Sequence, residues 1–346
     1  MSSIYTISKI KKCCKLKRLN IYNIFLDVTL LLLATALILL ILNPERYIVS
    51  INSGITLFFV SVFPSLLPFL FLSKMIDGMG GFKKLEKIMS PITTKLYRTH
   101  ESVSYPFIMS MISGYPIGAK IVGEMKKDNI ISSFDAHHAI CLSSTSGPIF
   151  VIGSVGANML GNSTLGLYIF LSHIIGSLIT AVLFTRKKSN SKTTTISLPH
   201  PSDSKQSILS YSTTSTISSI LTVAVYVSIF YMFIDMAYSI GFLKLTTSII
   251  ERVLTIFGLD GRLAFGISSG LIEMTRGCKE IALVQNNLAS LVCCTGLISF
   301  GGLSIILQSL TFLSGTGIKA PYFILLKVVQ AVISSAVALI LGLFIL

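Results

Sequence analysis

Long apolar stretches, separated by short polar or glycine- and proline-bearing punctuation, fill this chain after a basic start. The first, Phe25 to Leu42, is apolar apart from Asp27 and Thr29. Its length matches the roughly 20 residues a helix needs to cross a bilayer, so residues 24–43 are expected to form a first transmembrane helix. Residues 47–76 follow with Pro64 and Pro68 inside Phe63-Pro64-Ser65-Leu66-Leu67-Pro68-Phe69, where each missing backbone donor predicts a kink or break. Between 82 and 98, Phe82, Leu85, Ile88 and Met89 recur at helical spacing among lysines, the pattern of an interfacial helix. The segment 104–118 is too short to span and is punctured by Gly114, Pro116 and Gly118, which predicts a re-entrant hairpin. Residues 135–157 and 164–185 read as two crossings.

A polar segment, 186–206, rich in Ser, Thr and Lys and containing Pro199 and Pro201, has no apolar periodicity and reads as a linker. Beyond it the order recurs. A long apolar stretch from about 214 to 243 carries Asp235, an amphipathic segment runs from Leu245 to Leu259, and a short punctured segment covers 262–284. Stretches 288–313 and 321–346 complete the series. Setting Gly118-Ala119-Lys120 against Gly277-Cys278-Lys279 brings Ser143-Ser144-Thr145-Ser146-Gly147-Pro148 near Ser299-Phe300-Gly301-Gly302. If each unit, 47–185 and 207–346, crosses an odd number of times, the second is inverted, a recurring transporter architecture. The expected fold is an all-α polytopic membrane protein with about seven spanning helices, two re-entrant hairpins and two inverted-topology repeats.

Composition agrees with the pattern: 52% of residues are hydrophobic and 12% charged, against about 25% charged in a soluble protein. The formal net charge of +14 invites a nucleic-acid partner. The basic residues, however, concentrate in the tail 1–23, in Lys83 to Arg98 and in Arg186 to Lys205, the segments the positive-inside rule assigns to the cytoplasmic face. No basic, aromatic-studded soluble domain is present to receive DNA or RNA. The ending Ile41-Leu42-Asn43-Pro44-Glu45 is not a small-residue cleavage site, so the first helix is read as retained. Six cysteines give no zinc spacing and no disulfide framework; Cys13-Cys14, beside a membrane helix, forms a weak acylation pattern.

Charge beside broken backbone at membrane depth marks the candidate site. Lys120 and Lys279, at the ends of the two hairpins, fit as cationic partners of an anionic solute, helped by helix N-termini near Gly114, Gly118 and Gly277. Alternatively they snorkel to the interface. Arg276 has the geometry for a bidentate carboxylate partner, with an internal pair to Glu273 the more economical reading. Glu273 itself fits a coupling proton, a cation or a counter-ion to Arg276 or Lys120, and Asp235 offers the same choice. Ser113, Tyr115, Pro116 and Thr275 stand within the hairpin motifs. Ser143, Ser144, Thr145 and Ser146 offer hydroxyls at a helix interruption, and Gly301 and Gly302 would let backbone approach a solute closely. His137-His138 and His173 raise a metalloenzyme, but there is no HExxH, no GxSxG and no P-loop, so neither an enzyme nor a cofactor or metal is expected.

The motifs Phe63 to Phe69, Ser113-Gly114-Tyr115-Pro116-Ile117-Gly118-Ala119-Lys120 and Gly270-Leu271-Ile272-Glu273-Met274-Thr275-Arg276-Gly277-Cys278-Lys279 resemble the YlbJ (SpoVV) family of sporulation integral membrane proteins. The resemblance covers nearly everything after residue 45. It implies nucleoside-recognition Gate domains similar to parts of concentrative nucleoside transporters. It also implies movement of dipicolinic acid from mother cell toward forespore across the outer forespore membrane. In the break at 143–148 this chain has Ser144, Thr145 and Gly147 where the family is expected to carry amides. The expected partners are a small anionic solute, dipicolinate, and the lipid bilayer, with a homo-oligomer as an option. A nucleoside or other small-solute carrier and a non-transporting scaffold for spore envelope assembly remain the alternatives.

Overall fold

A computed structural model describes residues 27–97, 99–185 and 205–346. The basic tail, Cys13-Cys14, Phe25, Leu26, Arg98 and residues 186–204 of the expected linker lie outside them. The chain divides into two compact units at Ser50/Ile51. The first contains α1 (Asp27–Leu42) and the opening turns of α2 (Pro44–Gly78). The expected repeats 47–185 and 207–346 both lie largely within the second unit.

Of the kink or break predicted at the prolines of α2, the structure has no break: the helix runs on. The turn before them, Phe58–Val62, is wound as a π-helix, and Pro64 falls in the first turn after it. A π turn shifts the hydrogen-bond register by one residue, which absorbs a missing donor without ending the helix. Next come α3 (Phe82–Leu96), the hairpin α4 (Ser104–Ser113) and α5 (Ile117–Lys127), the interrupted pair α6 (Ser133–Leu142) and α7 (Ile149–Met159), and α8 (Ser163–Phe184). The same order returns as α9 (Lys205–Ser239), α10 (Phe242–Ile256), the hairpin α11 (Leu263–Ile272) and α12 (Met274–Ala282), the interrupted pair α13 (Asn287–Phe300) and α14 (Gly302–Phe312), and α15 (Ala320–Ile345). Side-chain caps set several starts: Ser132 Oγ accepts from the Asp135 amide, Asn162 Oδ1 from Leu165, and Asn286 Oδ1 from Ala289, each at 3.0 Å.

Among the described residues, five helices qualify as spans by length and apolarity: α2, α8, the 208–239 part of α9, α13–α14 taken together, and α15. The expected count of about seven also included α1, whose described length falls short, and α6–α7, which its own break divides. Burial follows the inside-out logic of a membrane protein. On α8, Leu167, Leu171, Ile175 and Ile179 are exposed along one stripe, while Ser172, His173, Gly176 and Thr180 face inward. The helices α3 and α10 each carry an exposed apolar stripe, Leu85, Ile88, Ile92 and Leu96 on one and Leu245, Ile249, Val253 and Ile256 on the other.

Corresponding last helices run antiparallel, as inversion requires. The ring of Phe184, at the end of α8, meets that of Tyr322, at the start of α15, at 5.8 Å between centroids. Further along both, Gly176 lies so close to Ser334 that a Cβ there would collide with its side chain. Small residues at the crossing replace the hydrophobic drive that lipid cannot supply.

Candidate functional site

In each half, the hairpin tip packs on the break of the interrupted helix. Gly114 ends α4 at φ 72°, ψ −164°, and a Cβ on it would strike the amide of Gly147. Only glycine fits a left-handed turn laid directly on neighbouring backbone. The Tyr115–Pro116 bond that follows is cis. In the second half, Gly302 at φ 69° sits where a Cβ would be 3.0 Å from the Gly270 carbonyl and 3.1 Å from that of Ile272. Both tip-and-break pairs border one buried cavity of about 60 Å³.

Matching elements of the two halves line it: Leu66 and Leu70 of α2 with Ser219, Val223 and Tyr226 of α9, Ser113 to Ile117 with Glu273 to Thr275, and Ser146 to Phe150 with Ser304, Ile305 and Gln308. Four half-helices, α5, α7, α12 and α14, reach its wall within their first turns. Their positive dipole ends therefore converge there, which favours negative charge in the space between. Gln308 is 2% exposed, and both its amide nitrogen and its oxygen are without a hydrogen-bond partner, as are the hydroxyls of Ser113 and Ser304. Buried polar groups left open around a cavity are what a polar solute or ordered water would satisfy.

Glu273 works as the cap of α12. Its Oε1 accepts from the Thr275 amide at 3.0 Å and the Thr275 hydroxyl at 2.9 Å, and its Oε2 from the Arg276 amide at 2.8 Å. The internal pair expected between Glu273 and Arg276 side chains is replaced by another. Arg276 turns away from the cavity, places Nη1 2.9 Å from Asp235 Oδ1 on α9, donates to the Tyr231 carbonyl at 3.2 Å and stacks 4.2 Å from the Tyr231 ring centre. Hairpin two is thereby clamped to α9 by an ion pair and a cation–π contact.

Of the residues singled out from sequence, Ser113, Gly114, Tyr115, Pro116, Ser146, Glu273 and Thr275 reach the cavity wall. Gly118 and Gly277 instead sit at backbone crossings, Gly118 against the Ser143 carbonyl and Gly277 against Gly270. Thr145 ties α4 to the break, its Oγ1 2.8 Å from Ser110 Oγ. Ser144 offers its carbonyl, not its hydroxyl, to neighbours. Gly301, at φ 84°, forms the second break without lining the space.

Lys120 and Lys279, the expected cationic partners, lie on the exposed flanks of their hairpins, and Lys120 pairs at 4.0 Å with Glu124. Helical geometry explains this: each stands on the face of a short helix opposite its packed glycine, so a hairpin that buries the glycine turns the lysine out. Alanine at either position is expected to change stability by no more than about 0.5 kcal/mol, the scale of a surface substitution, as thermal midpoints would read.

Lys327 of α15 is fully buried, a lysine that sequence reading passed over although it interrupts Phe323-Ile324-Leu325-Leu326-Lys327-Val328-Val329. An ionisable residue inside an apolar span was the available signal. Its ammonium donates to Tyr115 Oη, to the Ser144 carbonyl at 3.2 Å and to Gln330 Oε1 at 2.8 Å. Beside it, His173 joins the two breaks: Nε2 accepts from the Ser146 amide at 2.9 Å, which leaves Nδ1–H to donate to Ser299 Oγ at 2.7 Å. Among the described residues, no grouping of His, Cys, Asp and Glu has the arrangement of a metal site.

Paired hairpins and interrupted helices that close on one cavity in an all-helical membrane protein are an arrangement that recurs among secondary transporters. Its fold is similar to that of the transporter CNTnw, solved as a doubly substituted variant in an outward-facing state, with TM-score 0.51 over 87% of this chain and 84% of that one, at 12% identity. The chain is also 25% identical over 339 residues to "Sporulation integral membrane protein YlbJ" of Bacillus subtilis (strain 168), covering 92% of this chain and 83% of that protein. That likeness supports the YlbJ family of sporulation integral membrane proteins. No family model matches the chain.

Proposed function

We propose that this protein is a non-enzymatic carrier of a small organic anion, with dipicolinate moved from mother cell toward forespore across the outer forespore membrane as the specific reading. The observation that carries it is the convergence of four half-helix N-termini on one cavity whose wall holds unpartnered Gln308, Ser113 and Ser304. Carboxylates need compensation at membrane depth. Here helix dipoles and open donors supply it, in place of the two exposed lysines. Glu273 already occupies the start of α12, so the other three termini face the solute. The two halves act as Gate-like units, and opening one hairpin at a time gives alternating access. The sporulation named in the YlbJ relative supports the choice of dipicolinate, a flat aromatic dicarboxylate.

A nucleoside-like neutral solute is the second reading, favoured by the Gln308 amide, which offers both donor and acceptor. Uptake into vesicles containing the purified protein separates the readings. Labelled dipicolinate is expected to accumulate, and Gln308→Leu to cut its uptake about tenfold, the effect of losing one buried polar contact. Accumulation of uridine with no effect of excess dipicolinate would select the nucleoside reading. Folded protein that moves neither points to the envelope scaffold.

A further inference from the structure

Lys327 is fully buried about two turns into α15, and none of the ion pairs among the described residues includes it. A buried ammonium without a carboxylate needs concentrated dipolar compensation. It finds this at one carbonyl. Ser144 O lies just past the C-terminal end of α6, where half-helix carbonyls carry partial negative charge. Three donors crowd it: Lys327 Nζ and Gln330 Nε2, each at 3.2 Å, and Tyr115 Oη at 3.0 Å. Tyr115 belongs to the tip of the first hairpin, so the ammonium joins the hairpin, the break and α15 at a single point.

In carriers built from interrupted helices, unwound carbonyls and half-helix C-termini are where an inorganic cation binds. We propose that Lys327 is a tethered substitute for that cation: its ammonium fills the carbonyl position between hairpin one and the α6–α7 break and closes the two against each other without sodium. The consequence is that assembly of this half needs no dissolved monovalent cation. The proposal concerns the cation alone and holds whichever solute is carried.

The test is thermal unfolding of the purified full-length protein in sodium, lithium, methylammonium or choline chloride at equal ionic strength. The unmodified protein is expected to unfold within about 1 °C in all four, because nothing binds the filled position. Lys327→Ala opens it; the variant is expected to unfold lower in choline and to regain about 3 °C with sodium, lithium or methylammonium. Lys327→Met, whose apolar chain refills the space, is expected to show no such response. A sodium-dependent rise in the unmodified protein, or a Lys327→Ala variant indifferent to every small cation, overturns the proposal. If Lys327→Ala yields no folded protein, Lys327→Gln takes its place in the series, and the salt comparison on the unmodified protein still decides. Solute uptake does not enter the readout, so failure here leaves the carrier reading untouched.

Discussion

Gly277→Leu is expected to abolish solute uptake and to remove most folded protein from detergent extracts. The helices of hairpin two cross at Gly270 and Gly277, where a Cβ on Gly277 would overlap the Gly270 Cα and stand 2.8 Å from both the Gly266 carbonyl oxygen and the Gly270 amide nitrogen. All of these are backbone atoms, so no side chain can rotate away. Overpacking a core costs about 1–3 kcal/mol where neighbours can yield, and a crossing of bare backbone belongs at or above the upper end. Size-exclusion profiles of heated extracts measure the loss. Lys279→Leu, on the exposed face of the same helix, is expected to elute as the unmodified protein does. Equal behaviour of the two variants would mean that the hairpin does not cross where the structure has it.

The second large effect belongs to the clamp between α12 and α9. Asp235→Ala leaves the Arg276 guanidinium, 8% exposed, beside a π face and a carbonyl but without its 2.9 Å carboxylate. Glu280 stands farther off, at 3.8 Å from Nε. Removing one partner of a fully buried pair costs about 3–5 kcal/mol, because the remaining charge stays desolvated; with 24% of the Asp235 side chain exposed, the loss here belongs at or below the lower end of that range. Removing both is cheaper. Asp235→Ala combined with Arg276→Leu is therefore expected to unfold at a higher temperature than Asp235→Ala alone, and thermal midpoints of the set give the coupling. Additive losses would show that the two side chains do not interact.

Both effects lie in motifs that the sequence had already marked, but for different reasons. Around residues 114–118 and 270–279, glycine and proline inside a run too short to span announced a hairpin. Backbone breaks are local events, so their position is legible. The same motifs raised Glu273 as a counter-ion to Arg276. That step failed because a residue at a helix start has amides within reach of its own carboxylate, and Glu273 takes these, while Arg276 lies three residues on and turns toward α9. At the prolines of α2 the sequence left a kink or a break open: the lost donors are real, and a π turn just ahead of them keeps the helix whole.

By itself the sequence determined that the chain is an all-helical membrane protein, in what order its elements come, and that the second half repeats the first. Length, period and punctuation of apolar runs are set by the hydrocarbon thickness and by the backbone's need for hydrogen bonds, and both act segment by segment. The tertiary structure alone decided which polar groups meet. It turned Lys120 and Lys279 outward, aimed Gln308 at the cavity, and brought Lys327 to the carbonyl of Ser144, 183 positions away along the chain. Which side of a helix is interior depends on every helix packed around it, and no local pattern contains that information.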